Sequence, residues 1–343
     1  MMSTLSGRPW MASALLLAVS LFAGCGAADR AFNPITSRPE PPPPLNNGQP
    51  TETLAVNDPQ EKQAVMALET ARTQYLYQLE LMQAYYFKIG NLDKQRWSKN
   101  EWNNLNNART WAWEGVPAIP QPAGANMAHE TEHSLVEPLM VARNDYYKGV
   151  KNIIALYQSR GGADEHKLKM MVNMQERFEP VWIYPYFPEL QLPPLSLRGT
   201  EEIPAAEQLY QEATGLFWGG KYFPAVSNYE KERHALAKFQ QLVDEYPTSR
   251  RIALSAYYIA EIYKEYFKEN AICVYWYERS WTWDPHVEEP ACFQAATVYD
   301  THLKNYAKAL ECFRMSLSRP DPERLANRAY CEKMIEKLTG EKQ

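Results

Sequence analysis

Apolar residues recur every three or four positions through two long stretches of the chain, and that spacing predicts helices. From Glu61 onward Ala71, Tyr75, Leu79, Met82 and Tyr86 share one helical face. Asp58-Pro59 ahead of them reads as a helix N-cap followed by a first-turn proline. Gly90-Asn91 breaks the pattern, and a second helical run passes through Trp97, Trp102, Leu105 and Ala108 toward Trp113. Pro117, Pro120 and Pro122 then mark a loop between Gly115 and Asn126.

After Pro138 the first pattern returns. Ala71-Arg72 matches Ala142-Arg143, Tyr75 matches Tyr146, Leu79 matches Val150, Met82 matches Ile153, Tyr86 matches Tyr157 and Gly90 matches Gly161, each pair 71 residues apart. The gapless register predicts a duplicated helical hairpin over 60–179. The alternative is chance likeness between two amphipathic helices, since tyrosine and leucine are common on such faces.

Outside these runs the polarity changes character. Met11 to Ala23 is an apolar stretch behind a single positive charge, Arg8. It suits a signal peptide and is shorter than the roughly 20 residues a membrane-spanning helix needs. Its end, Ala23-Gly24-Cys25, resembles the lipobox of bacterial lipoproteins, with Phe22 where leucine is usual. The resemblance implies cleavage after residue 24 and acylation of Cys25. With Gly26 next rather than aspartate, it implies an anchor in the outer membrane facing the periplasm. An ordinary secretory signal with an incidental cysteine is the other reading. Residues 25–59 hold Pro34, Pro39, Pro41 to Pro44, Pro50 and Pro59 among few apolar positions, and predict a disordered, extended tether. A second proline-rich segment, 180–204, carries Trp182, Tyr184, Tyr186 and Phe187, too aromatic for a free linker, and is expected to pack as a connector.

The remaining 205–343 shows a longer period. Pro247, Pro285 and Pro322 lie 38 and 37 residues apart. A small residue and then an aromatic precede each: Ala235-Phe239-Leu242, Cys273-Tyr277-Ser280 and Ala309-Phe313-Ser316. Small residues let two helices cross closely, the aromatic fills the space one turn away, and proline ends the helix. This resembles the second helix of the tetratricopeptide repeat. Ile259-Ala260 with Tyr263, Ala296 with Tyr299 and Ala213 with Leu216 resemble its first helix. The period exceeds the family's usual one, and the first repeat offers two registers, through Ala225 or Ala235, which a lengthened second helix would accommodate. The runs Phe239-Gln240-Gln241-Leu242 through Ser249 and Ala256 to Ala260 are similar to envelope repeat lipoproteins of the BamD type. The periplasmic cell-division coordinator CpoB has similar repeats. The resemblance implies an all-α, helical-hairpin repeat solenoid with a C-terminal capping helix. It further implies envelope proteins or peptides as partners, and no catalytic residues. By family register Leu254, Tyr257, Glu261, Lys264, Phe293, Thr297 and Asp300 face a binding groove.

Charge narrows the classes further. The formal net charge is −5, and loss of the signal takes Arg8 with it, giving −6. A mildly acidic chain without a basic run offers nucleic acid no footprint. Most of the 22 tyrosines and 10 tryptophans are expected in the core and at repeat packing, and some are expected to face a partner.

Two chemical signals remain. His129-Glu130-Thr131-Glu132-His133 spells the zinc-peptidase motif, in which two histidines share a helical face and the glutamate activates water. The prolines around it and the charge of Glu132 favour a solvated helix start, with no metal and no cofactor, while a metallopeptidase stays as the alternative function. Cys273, Cys292, Cys312 and Cys331 are spaced 19, 20 and 19 residues, one per successive helix. They are either packing residues at tight crossings or, in an oxidising compartment, the disulfides Cys273–Cys292 and Cys312–Cys331.

Overall fold

A computed structural model describes residues 50–122, 130–178, 180–223, 226–319 and 324–340. The expected signal peptide, Cys25 and the expected tether up to residue 49 lie outside the described residues. The chain is all-α, helices packing as sequence-adjacent pairs. No described helix is long and apolar enough to cross a membrane.

The first half is a four-helix bundle of α1 (Pro59–Lys88), α2 (Leu92–Ala108), α3 (Glu132–Arg160) and α4 (Glu165–Arg177). Local chemistry sets the ends. The Asp58 carboxylate accepts from the Glu61 amide at 2.8 Å, and Pro59 occupies the first turn, where its missing donor is not needed. Thr131 and Ser134 form a reciprocal capping box on α3. Beyond the C-terminal ends, Gly90 and Gly161 take φ of 73° and 65°, a region that penalises any side chain.

Those two glycines are 71 residues apart, and the 71-residue correspondence extends to tertiary contacts. The helices α1 and α3 pack antiparallel, so that an approximate two-fold axis relates residue i to i+71. Tyr157 donates to Glu61 at 2.9 Å near one end of the pair, and Tyr86 donates to Glu132 at 2.5 Å near the other. Glu61 matches Glu132 and Tyr86 matches Tyr157, so each tyrosine reaches across to the other copy's glutamate. Lys167 supports Glu61 and Lys94 supports Glu132, each at 2.5 Å. At the centre the Tyr75 and Tyr146 rings lie 5.9 Å apart.

The symmetry breaks at the arginines. Arg143 donates Nε and Nη2 to Glu101 at 2.8 and 2.7 Å, and Glu101, fully buried on α2, also accepts from Tyr75 and Tyr186. The position matching Glu101 in the second hairpin is Val172. Arg72 therefore donates Nη2 only to Asn106, at 3.1 Å, and its buried Nε has no partner. Burial, with Arg109 nearby, brings its guanidinium down to about 10.

The second half stacks α6 (Pro204–Gly219), α7 (Tyr229–Glu245), α8 (Ile252–Glu265), α9 (Asn270–Trp283), α10 (Ala291–Thr301), α11 (Tyr306–Ser318) and α12 (Arg324–Thr339), each against the next. The small–aromatic pattern is the packing seam. Ala235, Cys273 and Ala309, with Phe239, Tyr277 and Phe313, are all fully buried. The Phe239 ring stacks on Tyr258 at 5.4 Å. Pro247 and Pro285 each follow a helix directly, α7 ending at Glu245 and α9 at Trp283.

The connector joins the halves through its buried aromatics. The short helix α5 (Pro188–Gln191) lies within it. Tyr184 stacks on Trp97 at 5.2 Å, and Arg279 and Trp283 of α9 donate to the carbonyls of Pro193 and Pro194 at 2.8 and 2.9 Å. Proline carbonyls are acceptors without a neighbouring donor, so this segment packs by receiving bonds from the helices.

The structure corrects four expectations. Residues 52–55 are not tether: β1 (Glu52–Ala55) pairs in parallel with β2 (Trp111–Glu114), so the second helical run stops at Ala108 and not at Trp113. The second helix of the first repeat is not lengthened. A β-hairpin of β3 (Lys221–Phe223) and β4 (Val226–Ser227) takes up the extra residues, and Asn228 caps α7, which makes Ala235 the register. Strand pairing thus occurs at these places as well as in the connector, whose Glu201 bridges to Ser249. Finally, α3 starts six residues before Pro138, which sits on the exposed face of that helix.

Candidate partner-binding groove

The first helices of the repeats, α6, α8 and α10, are tied edge to edge by polar bonds. Arg251 grips Glu207 of α6 with Nε at 2.6 Å and Nη2 at 2.9 Å, holding that carboxyl below its ordinary range. One repeat on, Lys264 of α8 donates to Gln294 of α10 at 2.9 Å.

The expected groove residues occupy this face unequally. Glu261 accepts from Lys264 at 2.9 Å and from the Tyr277 hydroxyl, and Lys264 also meets Glu265 at 3.1 Å. Burial pulls Lys264 down, but Glu261 and Glu265 outweigh it and its pKa is raised. Leu254, Glu261, Lys264 and Thr297 are half-buried, while Tyr257 and Asp300 are buried. Phe293 turns toward the end of the stack, its ring 5.7 Å from Tyr330 and 6.5 Å from Phe313. The reachable surface is therefore Leu254, Glu261, Lys264 and Thr297, with Gln294, Glu207 and Arg251 added. The added three fall outside the family pattern, and only the three-dimensional alignment of successive first helices brings them together.

Sequence reasoning also missed Glu101 and Glu269. Glu269, 1% exposed, precedes α9 and accepts from Trp97 of α2 at 3.3 Å, with Arg96 at 3.5 Å. A readable signal existed for Glu101 alone: it stands on the stripe of Trp97 and Leu105, where a lone acid implies a buried partner.

The peptidase motif is not assembled as that chemistry needs. Helix α3 begins at Glu132, so Glu130 precedes it and does not share a helical face with His133. Glu130 instead accepts from the Ser134 hydroxyl at 2.6 Å, and His133 packs edge-on to Phe187 at 5.5 Å. Glu132 is engaged by Tyr86 and Lys94. His129 lies outside the described residues.

The four cysteines are buried thiols, and the expected bridges Cys273–Cys292 and Cys312–Cys331 are not formed. The sulfurs are directed elsewhere. Cys273 bonds the Asn270 carbonyl in its own first turn at 3.2 Å, Cys331 reaches Ser316 at 3.9 Å, and Arg319 donates to Cys292 at 3.1 Å. Burial first, and then neighbouring Cys292, pushes Cys312 up to about 12.

No known protein family, curated protein or solved structure matches the chain.

Proposed function

We propose that this chain is a non-catalytic scaffold that binds envelope proteins or peptides along the first-helix face of its repeats. We further propose that it is exported, acylated at Cys25 and held at the outer membrane facing the periplasm. The observation that carries the binding reading is that the first helices α6, α8 and α10 are joined by the polar bonds Arg251–Glu207 and Lys264–Gln294. A stacked-hairpin face of this kind presents side chains at fixed intervals, which suits an extended peptide or a partner helix. The metallopeptidase reading is weaker because Glu130 lies before the helix that holds His133. The anchor rests on the lipobox-like Ala23-Gly24-Cys25. Capture tests the groove: a photo-crosslinker at Leu254 or Thr297 should trap one defined partner in intact cells. The same probe on the second helices, at Ala237 or Arg314, should not. Equal trapping from both faces contradicts the proposal. Lipid labelling of a Cys25→Ser chain tests the anchor, and retained label contradicts it.

A further inference from the structure

The turn between α1 and α2 holds three large apolar side chains in water. Phe87 is 70% exposed, Ile89 52% and Leu92 68%, all within six residues. The turn itself does not need them. Its backbone closes with the Gly90 amide on the Phe87 carbonyl at 3.1 Å and the Asn91 amide on the Tyr86 carbonyl at 2.9 Å. Asn91 then caps α2 by accepting from the Lys94 amide at 3.1 Å.

The corresponding turn 71 residues on is also built on a left-handed glycine, Gly161, and it is polar. Gln158 stands at the position of Phe87, Arg160 at that of Ile89 and Ala163 at that of Leu92. Arg160 pairs there with Asp58 at 2.6 Å, so that end of the bundle closes on an ion pair. At the first turn the apolar side chains thus serve neither the cap nor the core. An exposed patch of that kind marks a contact surface.

Size and form select the occupant. The three side chains offer about 300–400 Å². Two such tips face to face stay below the roughly 1,200 Å² of a stable protein interface. A lipid surface sets no such minimum, because side chains projecting from a turn enter the boundary of headgroups and acyl chains without a matching pocket. Lys88, exposed between Phe87 and Ile89, has a stem long enough to meet headgroup phosphates while its neighbours go deeper. Two acids at this end are already paired, Asp93 with Arg96 at 3.7 Å and Glu132 with Lys94 at 2.5 Å. We infer that Phe87, Ile89 and Leu92 seat the α1–α2 turn in the surface of a lipid bilayer.

The chain is long enough for this. The folded part is fastened at Thr51, whose amide donates to the Thr110 carbonyl at 2.6 Å, at the opposite end of α1 from the tip. With 30 residues α1 is about 45 Å long. The stretch from Cys25 to Thr51 spans up to about 90 Å, twice that length. An acyl group at Cys25 and the tip therefore reach the same leaflet. The seating rests on the proposed anchor only in that the anchor brings the chain to a bilayer.

An unacylated mature chain, Cys25→Ser, with Ile89→Cys carrying an environment-sensitive fluorophore, tests the contact. The four repeat thiols are buried and stay unlabelled. Mixed vesicles of phosphatidylcholine and phosphatidylglycerol should shift the emission to the blue and saturate it. The same label at Ser159→Cys, on the polar turn, should not respond. In the unlabelled chain, Phe87→Ser with Leu92→Ser should lower partition onto sedimented vesicles by about tenfold or more at unchanged helicity. A shift that grows with protein concentration and needs no lipid assigns the tip to a second copy and overturns the proposal. So does vesicle binding that the double serine variant keeps, an equal response from both labelled turns, or no response and no sedimentation at millimolar lipid. None of these outcomes depends on acylation or on the first-helix groove, so the tip and the proposed function fail separately.

Discussion

Tyr157 donates its hydroxyl to Glu61 across the α1–α3 pair at 2.9 Å, repeating 71 residues on what Tyr86 does for Glu132. Each copy of the hairpin thus supplies the donor for the other copy's acid.

Removing one hydroxyl should show this. Glu61 is 2% exposed, and a hydrogen bond to a buried carboxylate contributes about 1.5–3 kcal/mol. Tyr157→Phe should lower stability by that order in urea unfolding with an unchanged denaturant slope. Tyr86→Phe should do less, because the Glu132 side chain is 26% exposed. A Tyr157→Phe midpoint equal to wild type would show that the cross-copy bond is idle.

The buried Arg143–Glu101 pair should behave as a unit. Glu101→Gln leaves a buried guanidinium short of its counter-charge and should destabilise by about 3–5 kcal/mol. Replacing both groups, Glu101→Leu with Arg143→Met, should recover much of the loss. Additive losses in that double-mutant cycle would deny the coupling.

Much of this architecture was readable and some was not. The 71-residue correspondence and the small–aromatic seam were legible because packing imposes a spacing on the sequence, as at Tyr75–Tyr146 and Ala235–Phe239. The β3–β4 hairpin was not, since three- and two-residue strands leave no periodicity to detect. For the proposed groove the register named Glu261 and Lys264, which are half-buried on α8. It could not foresee that Phe293 turns to Tyr330, a contact set by the capping helix. Gln294 and Arg251 were invisible for the same reason: their partners are a repeat away.

Stability should depend on pH through Glu232. It is fully buried beneath Gly220, where a Cβ would meet its Oε1 at 2.2 Å. Burial pushes its carboxyl from the ordinary 4.5 up to about 8, against the pull of Lys221 and Tyr266. A pKa raised on folding favours the folded state while the group is protonated. Its contribution is whole below about pH 4.5 and is lost as pH rises through about 8. Unfolding midpoints of wild type should therefore fall relative to Glu232→Gln across that window. Parallel pH profiles would contradict the assignment.

The cysteines should be inert until the fold opens. Cys273, Cys312 and Cys331 are all pushed up by burial, so little thiolate exists to react. Maleimide should leave the four repeat cysteines unmodified in the native chain and label all four in urea without reductant. Two labelled thiols or none in urea would mean that bridges exist after all.

The groove itself is tested most directly by the affinity of the captured partner for wild type against Leu254→Arg and Thr297→Trp. Both replacements block the first-helix face without touching the Glu261–Lys264–Gln294 bonds. The account predicts a loss of tenfold or more for each, about 1.4 kcal/mol, with Ala237→Arg on α7 binding as wild type and all three chains melting alike. Wild-type affinity in the two groove variants, or an equal loss in Ala237→Arg, would contradict it.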